Sequence, residues 1–170
     1  SAKSAQKLWQ DLGLKTRIEY LQKALSELKS RKSDFTLLAS IEMGMSITET
    51  TSDFDQSLDY ANWYFENAAT YLNPETTFEN DKEIHQVFYE PIGVAAVILP
   101  WNFPMSNFIW GCIQSLIAGN TVILKDSEEV PLCGKFIEEI LTKNLPKGVF
   151  SEIYGDGETA KILLEQDINM

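Results

Sequence analysis

The sequence predicts an α/β fold in which N-terminal helices precede a partial, doubly wound βαβαβ sheet. Three observations predict it. Over the first seventy or so residues, apolar side chains recur at intervals of three and four, the helical period. After Pro91 this gives way to short apolar runs rich in β-branched residues, "GVAAVIL", "TVIL" and "VFSEIY". Between the first two runs lie about twenty residues of helical spacing, long enough for a right-handed crossover between parallel strands.

In the first part, Ile18, Leu21, Leu25 and Leu28 form one apolar stripe on a helix from about Lys15 to Arg31. Ser33 offers a cap for the next helix, Phe35, Leu38 and Ile41 continue the period, and Gly44 is placed to end it in a left-handed turn. Ser46 and Glu49 form an S-x-x-E capping box ahead of Phe54, Leu58, Ala61, Phe65, Ala68 and Leu72, a long helix that stops at Asn73-Pro74. The charged residues of this part are read as solvated faces. From Thr76 to Glu90 the polar, β-prone stretch "TTFENDKEIHQVFYE" predicts an extended ribbon, with the lone histidine, His85, as an ordinary ribbon residue.

In the sheet part, Gly119-Asn120 closes the first crossover, a helix follows Pro131 with Phe136, Ile137, Ile140 and Leu141 inward, and "LPKG" turns the chain into the third strand. A short helix from Glu158 to Glu165 comes after Gly155 and Gly157. The chain thus divides into residues 1–74, helical, 75–91, an extended ribbon, and 92–170, the sheet. A doubly wound sheet would continue past Met170, and a start at Ser1 without methionine points to trimming.

Composition narrows the function. With 25 acidic against 14 basic residues and a net charge of −11, the surface repels nucleic acid and anionic membrane. The apolar runs fall short of the ~20 residues of a membrane span, and no leader-like segment opens the chain. Cys112 and Cys133 lack disulfide or metal-site spacing, so a reducing cytoplasm and no metal are expected.

Ligands of open α/β sheets bind beyond the carboxyl ends of the strands. Those ends carry Pro100-Trp101-Asn102, then Lys125-Asp126-Ser127-Glu128, then Gly155-Asp156-Gly157. From local physics alone Asn102 is read first as a cap for the following helix, Lys125 and Glu128 as a surface pair, and the glycines as a turn. No G-x-G-x-x-G follows the first strand.

"EPIGVAAVILPWNFP", "LIAGNTVILKDSEEVPL" and "LPKGVFSEIYGDGE" together resemble, in order and spacing, the N-terminal half of the coenzyme-binding domain of aldehyde dehydrogenases. "RIEYLQKALSELKSR" and "EMGMSITET" fit as well, so the resemblance covers essentially the whole chain and about a third of the family's length. It implies that residues 1–74 are the helical start of that domain, that 92–170 are the first half of its Rossmann-like sheet, and that the catalytic domain lies outside this sequence.

The resemblance implies specific roles. Asn102, between Pro100 and Pro104, would donate its amide N–H to the oxyanion formed when a cysteine attacks the aldehyde. Lys125 and Glu128 would bind the adenosine ribose, which favours NAD without excluding NADP, and Ser127 could soften that preference. Main chain from Ile98 through Leu99 and Pro100 to Trp101 would line the nicotinamide, and Gly157 would let the backbone approach the cofactor. Phe103, Asn107 and Trp110, at i, i+4 and i+7, would share a helix face lining the substrate tunnel. The complete enzyme would be a dimer or tetramer acting on a small aldehyde.

The chain departs from the family's pattern at Lys161, where many members keep a glycine, and at Asp126, which replaces a proline. "ANWYFENAATYLNPE" looks most like bacterial succinate-semialdehyde dehydrogenases, several of which place an arginine near the position of Trp110. The family's nucleophilic cysteine and general-base glutamate belong to motifs absent from these residues, and Cys112 reads as a core thiol. The chain alone is therefore expected to be inactive. The alternative is a non-catalytic nucleotide-binding or interaction protein derived from the family.

Overall fold

The computed structural model describes residues 2–170. Four helices come first: α1 (Ala2–Asp11), α2 (Gly13–Ser30), α3 (Lys32–Met43) and α4 (Ile47–Leu72). The expected capping box holds α4, with Glu49 N–H donating to Ser46 Oγ and Ser46 N–H to Glu49 Oε2. Its stripe of Phe54, Leu58, Ala61, Phe65 and Ala68 is buried. Gly44 ends α3 at φ 74°, the left-handed conformation that glycine adopts without a Cβ clash.

Three expectations need correction. Ser33 does not cap α3, because α2 and α3 are nearly continuous and Arg31 is the only residue between them. Ile41 is 71% exposed, since the inward face of α3 runs through Phe35, Thr36 and Ala39. The charges of this part are not all solvated either. Arg17 is buried and donates to the Ile117 and Gln10 carbonyls at 3.0 and 2.9 Å, while Glu42 accepts from the backbone N–H groups of Leu132 and Cys133 at 2.9 and 2.8 Å.

The ribbon is a hairpin of β1 (Glu75–Glu79) and β2 (Ile84–Val87), exposed along both strands. The sheet is parallel, in the order β3 (Val94–Ile98), β4 (Thr121–Lys125), β5 (Phe150–Ile153). Residues 104–118 form one crossover, made of α5 (Pro104–Phe108), a π-helical turn (Ile109–Ile113) and α6 (Gln114–Ala118). The second crossover is α7 (Pro131–Asn144), and α8 (Gly157–Leu164) follows β5. The chain then returns to the free edge of β3, where Asn169 N–H donates to the Val94 carbonyl and Ala96 N–H to that of Met170. The direction of travel across the sheet thus reverses at β3, the kind of switch point beside which such sheets bind ligands.

One continuous apolar core joins the two parts. The crossover helices pack between the sheet and the outer helices, α2 and α3 against α7, α2 against α6, and α4 against α5. Trp9 of α1 is buried and donates from Nε1 to the Leu116 carbonyl at 2.9 Å. Charged groups of the outer helices also complete the ends of crossover helices, whose terminal N–H and C=O groups lack partners within the helix. Arg17 does so at the carboxyl end of α6, Glu42 at the amino end of α7, and Asp53 at the amino end of α5. No described helix is long and apolar enough to cross a membrane.

Candidate active site and coenzyme edge

Register fixes the site. Ile98 pairs with Lys125 and Lys125 with Ile153, so the three parallel strands end level with one another. The loops that follow them therefore share one edge of the sheet. Leu99 N–H donates to the Lys125 carbonyl at 3.1 Å, which extends the β3–β4 ladder one residue towards that edge.

After β3 the chain leaves the sheet through Pro100, and Trp101 and Asn102 are exposed. Phe103 is the N-cap of α5, with no side-chain capping bond, and Pro104 opens the helix. The capping reading of Asn102 is therefore wrong. Asp53 of α4 supplies the cap instead, since its carboxylate accepts from the Ser106 hydroxyl and from the backbone N–H groups of Met105 and Ser106. Asn107 reaches back and donates from Nδ2 to the Pro100 carbonyl at 3.2 Å and, more weakly, to Asn102 Oδ1 at 3.4 Å. The Asn102 carbonyl is engaged while its amide N–H groups donate to none of the described residues.

Phe103 and Trp110 line a cleft of about 390 Å³ between α4 and α5, together with Asp53, Gln56 and Tyr60. Asn107 does not line it, being drawn to the Pro100 carbonyl. The π turn that begins at Ile109, after Asn107, departs from the regular spacing that i, i+4, i+7 assumes. It also brings Gly111 so close to β3 that a Cβ there would lie 2.7 Å from Val97 Cγ1.

The loop after β4 is charged, and its first residues are buried. Lys125 is 3% exposed and donates from Nζ to Glu128 Oε2 at 2.8 Å. That hydrogen bond and the lysine's charge hold the Glu128 carboxyl below its usual range. Ser127 is buried, and its Oγ accepts from Glu129 N–H at 3.2 Å. Asp126, also buried, accepts from Ser127 N–H at 2.8 Å, and burial pushes its pKa up to about 6.

Beneath this loop lies a group the sequence reading did not single out. Glu152, in the middle of β5, is 8% exposed, and neither carboxylate oxygen has a hydrogen-bond partner. The nearby Tyr154 hydroxyl is committed to Glu138 Oε2 at 2.7 Å. Burial, then the charges of Asp126 and Glu138, push the Glu152 pKa up to about 8. Gly134 makes room for both acids: a Cβ there would collide with Glu152 Oε1 and meet Asp126 Oδ2 at 2.9 Å. The signal for Glu152 was present in "VFSEIY", because period-two alternation puts it on the same face as Phe150.

After β5, Gly155 has φ 148° and stands where a Cβ would collide with the Thr159 side chain. Asp156 caps α8, accepting from Glu158 and Thr159 N–H at 3.0 and 3.3 Å. Gly157, the first residue of α8, faces open space: a Cβ there would meet nothing within 4 Å. Cys112 and Cys133 are both fully buried, and burial pushes both thiols up, Cys112 also by the charges of Asp126 and Glu152 and Cys133 also by Glu42. Neither thiol sits where it could be a nucleophilic thiolate. His85 is exposed on β2, and no cluster of three potential metal-ligating side chains occurs among the described residues.

Comparison with known proteins fits this arrangement. The aldehyde dehydrogenase family model matches residues 1–170. The 1-pyrroline-5-carboxylate dehydrogenase of Staphylococcus saprophyticus is 31% identical over 92% of this chain and 30% of its own length. A probable NADP-dependent succinate-semialdehyde dehydrogenase of Synechocystis is 31% identical over 89% of this chain and 33% of its own. Among solved structures, an NAD-dependent aldehyde dehydrogenase of Sinorhizobium meliloti superposes with a TM-score of 0.90 at 26% identity, over 99% of this chain and 34% of that one. The chain thus spans about a third of the length of the relatives it matches. It belongs to the aldehyde dehydrogenase family.

Proposed function

We propose that these residues are the N-terminal, coenzyme-binding part of an NAD(P)-dependent aldehyde dehydrogenase that oxidises a small aldehyde to a carboxylic acid in the cytoplasm. The observation that carries this reading is the meeting of the Asn102 amide, the Lys125–Glu128 pair and the open space at Gly157 on one edge of the sheet. In this reading Asn102 donates to the developing oxyanion, and a donor already aimed stabilises that charge without reorganising. Asn107, by engaging the Asn102 carbonyl, is a positioning residue.

A bound nicotinamide cofactor would supply the hydride acceptor. The residues present fit one. Lys125 and Glu128 offer a donor and an acceptor for ribose hydroxyls, Gly157 leaves room for close approach, and the backbone of Ile98, Leu99, Pro100 and Trp101 borders the same edge. The N–H groups of Glu158 and Thr159 are already taken by Asp156, so the amino end of α8 is not free for a phosphate. Glu128 opposes a 2′-phosphate, which supports NAD over NADP; Ser127 is buried and could add only a single hydrogen bond.

The aldehyde tunnel is assigned to the Phe103 and Trp110 cleft, and succinate semialdehyde is a candidate substrate through the name of the Synechocystis relative. The exposed Phe78, Ile84 and Val87 of the ribbon support homo-oligomerisation, as a dimer or tetramer. The alternative is a non-catalytic nucleotide-binding or interaction protein; neither cysteine among these residues is a competent nucleophile, so the two readings differ in what the complete protein carries. The reading frame beyond residue 170 separates the two. The proposal expects it to encode a nucleophilic cysteine, and expects the complete protein, but not residues 1–170 alone, to reduce NAD when given an aldehyde. A complete protein that binds NAD and oxidises no aldehyde would establish the alternative.

A further inference from the structure

Asp126 and Glu152 form an acid pair on the face of the sheet that α7 covers. Leu124 pairs with Glu152 in the β4–β5 register, and Asp126 follows Leu124 by two residues, so strand alternation sends all three side chains to one face. Gly134 of α7 marks where the carboxylates converge: a Cβ there would collide with Glu152 Oε1 and meet Asp126 Oδ2 at 2.9 Å. Both residues are more than nine-tenths buried, with 6% and 8% exposure. Ser127 N–H donates to the other Asp126 oxygen, Oδ1, and neither Glu152 oxygen has a partner. Asp126 is also a position at which the chain departs from the family's pattern.

No cation answers the pair. On β4, Lys125 Nζ is committed to Glu128, and on α7, Lys135 pairs with Glu138 and Glu139 at 3.5 and 3.9 Å. Tyr154, just after β5, donates its hydroxyl to Glu138, and Glu42 of α3 is held by the N–H groups of Leu132 and Cys133. Burial keeps the thiols of Cys133 on α7 and Cys112 in the π turn protonated. Two ionised carboxylates only accept, so neither can satisfy the other until one of them holds a proton. Burial raises both acids, Glu152 to about 8 with help from Asp126 and Glu138, and Asp126 to about 6 with help from Glu42. Near neutral pH the pair therefore carries one proton.

The pair lies directly under the proposed cofactor edge. Asp126 follows Lys125 in the chain, the charge of Lys125 favours its ionised form, and Ser127 N–H ties its carboxylate to the turn that leads to Glu128. A dinucleotide held at Lys125 and Glu128 brings two phosphate charges to that edge, and added negative charge disfavours a second ionisation beneath it. We propose that Asp126 and Glu152 share one proton and that this proton couples nucleotide binding to pH, with the dinucleotide bound more tightly while the pair is protonated. The proposal rests on the reading of this edge as the cofactor site. Its sign follows from linkage: a group whose ionisation the ligand opposes takes up protons on binding, so affinity is highest below the Glu152 titration and declines as pH rises through about 8.

The experiment uses the complete protein and two readouts. The first needs no cofactor: infrared difference spectra between about pH 7 and pH 9 should show a carboxylic acid C=O band that disappears as pH rises through about 8 and is missing in Glu152→Gln. Asp126→Asn should move that disappearance to lower pH, because it removes the charge that opposes ionisation of Glu152. The second readout is calorimetric titration with NAD. Wild type should bind about threefold or more weakly near pH 9 than near pH 7, and buffers of different ionisation enthalpy near pH 8 should report uptake of a few tenths of a proton. Glu152→Gln should lose both effects. No acid band, or one that Asp126→Asn does not move, would overturn the shared proton. The same pH dependence of NAD affinity in wild type and Glu152→Gln would overturn the coupling while leaving the cofactor reading standing. A complete protein that binds no NAD would overturn that reading, and the coupling with it, whatever the infrared spectra show.

Discussion

The loops after β3 and after β4 leave the same edge of the sheet in register, yet they are built in opposite ways. The loop after β3 is exposed and uncharged, and its shape comes from Pro100 and Pro104 and from one side-chain amide, that of Asn107, reaching back to the Pro100 carbonyl. The chain after β4 starts out buried and charged, with Lys125 at the strand end and Asp126 and Ser127 each less than a tenth exposed, before Glu128 and Glu129 return to the surface. The difference teaches where each kind of chemistry can be placed. A neutral donor can be held at an open edge by backbone stiffness alone, whereas a buried charge needs a partner. Lys125 has one in Glu128. Glu152, one strand further on, does not.

The largest expected effect breaks the first loop. In the complete enzyme Asn102→Ala should lower kcat by roughly a hundredfold or more, the usual cost of losing one oxyanion donor, and leave the KM for NAD nearly unchanged. Steady-state kinetics with both substrates varied decides it. A kcat within a factor of about three of wild type would remove Asn102 from the chemistry.

The next effect probes the unpartnered acid beneath the second loop. Glu152 has its folded-state pKa raised from 4.5 to about 8, so whatever stability its neutral form allows is fully present at low pH and is lost as pH rises through about 8. Asp126, raised to about 6, acts in the same direction at lower pH. Glu152→Gln keeps the shape and removes the titration. It should therefore match wild type near pH 5 and become more stable by about 2 kcal/mol near pH 9. Thermal midpoints across that range check it, and a Tm difference that does not grow with pH would mean that Glu152 finds a partner in solution.

A smaller effect sharpens the reading of the second loop. Glu128→Gln should improve kcat/KM with NADP by about tenfold while changing that with NAD much less, because under the proposed reading the substitution removes a like charge beside the 2′-phosphate but keeps a hydrogen-bonding group. A wild-type protein that already prefers NADP, unchanged by the substitution, would assign cofactor choice to Lys125 and Ser127.

What the sequence made legible and what it hid follow from the range of the interactions. The three strands and the capping box of α4 are local signals, a few consecutive residues whose pattern sets their own conformation. The trans caps are not. Nothing near Arg17, Glu42 or Asp53 in sequence says that each will complete the end of a helix packed against its own, because those contacts exist only after the layers meet. The π turn hid in the same way, and so did the reach of Asn107 back to the Pro100 carbonyl. At the site, the order Pro100-Trp101-Asn102 and the Lys125 to Glu128 spacing were readable, whereas the contact between Asn107 and Asn102 was not. Helix α1 is a plain omission, since Ala5, Leu8 and Trp9 have helical spacing, though only Ala5 and Trp9 are buried.

The central claim of the proposed function is a division of labour, with the loop after β3 assigned to the reacting aldehyde and the loop after β4 to the cofactor. A double-mutant cycle on the complete enzyme, Asn102→Ala against Glu128→Gln, tests it most directly. Independent loops predict that the double variant combines the kcat loss of the first with the cofactor shift of the second, additive to within about 0.5 kcal/mol. A coupling energy well above that, or a kcat loss in Glu128→Gln that matches that of Asn102→Ala, would contradict it.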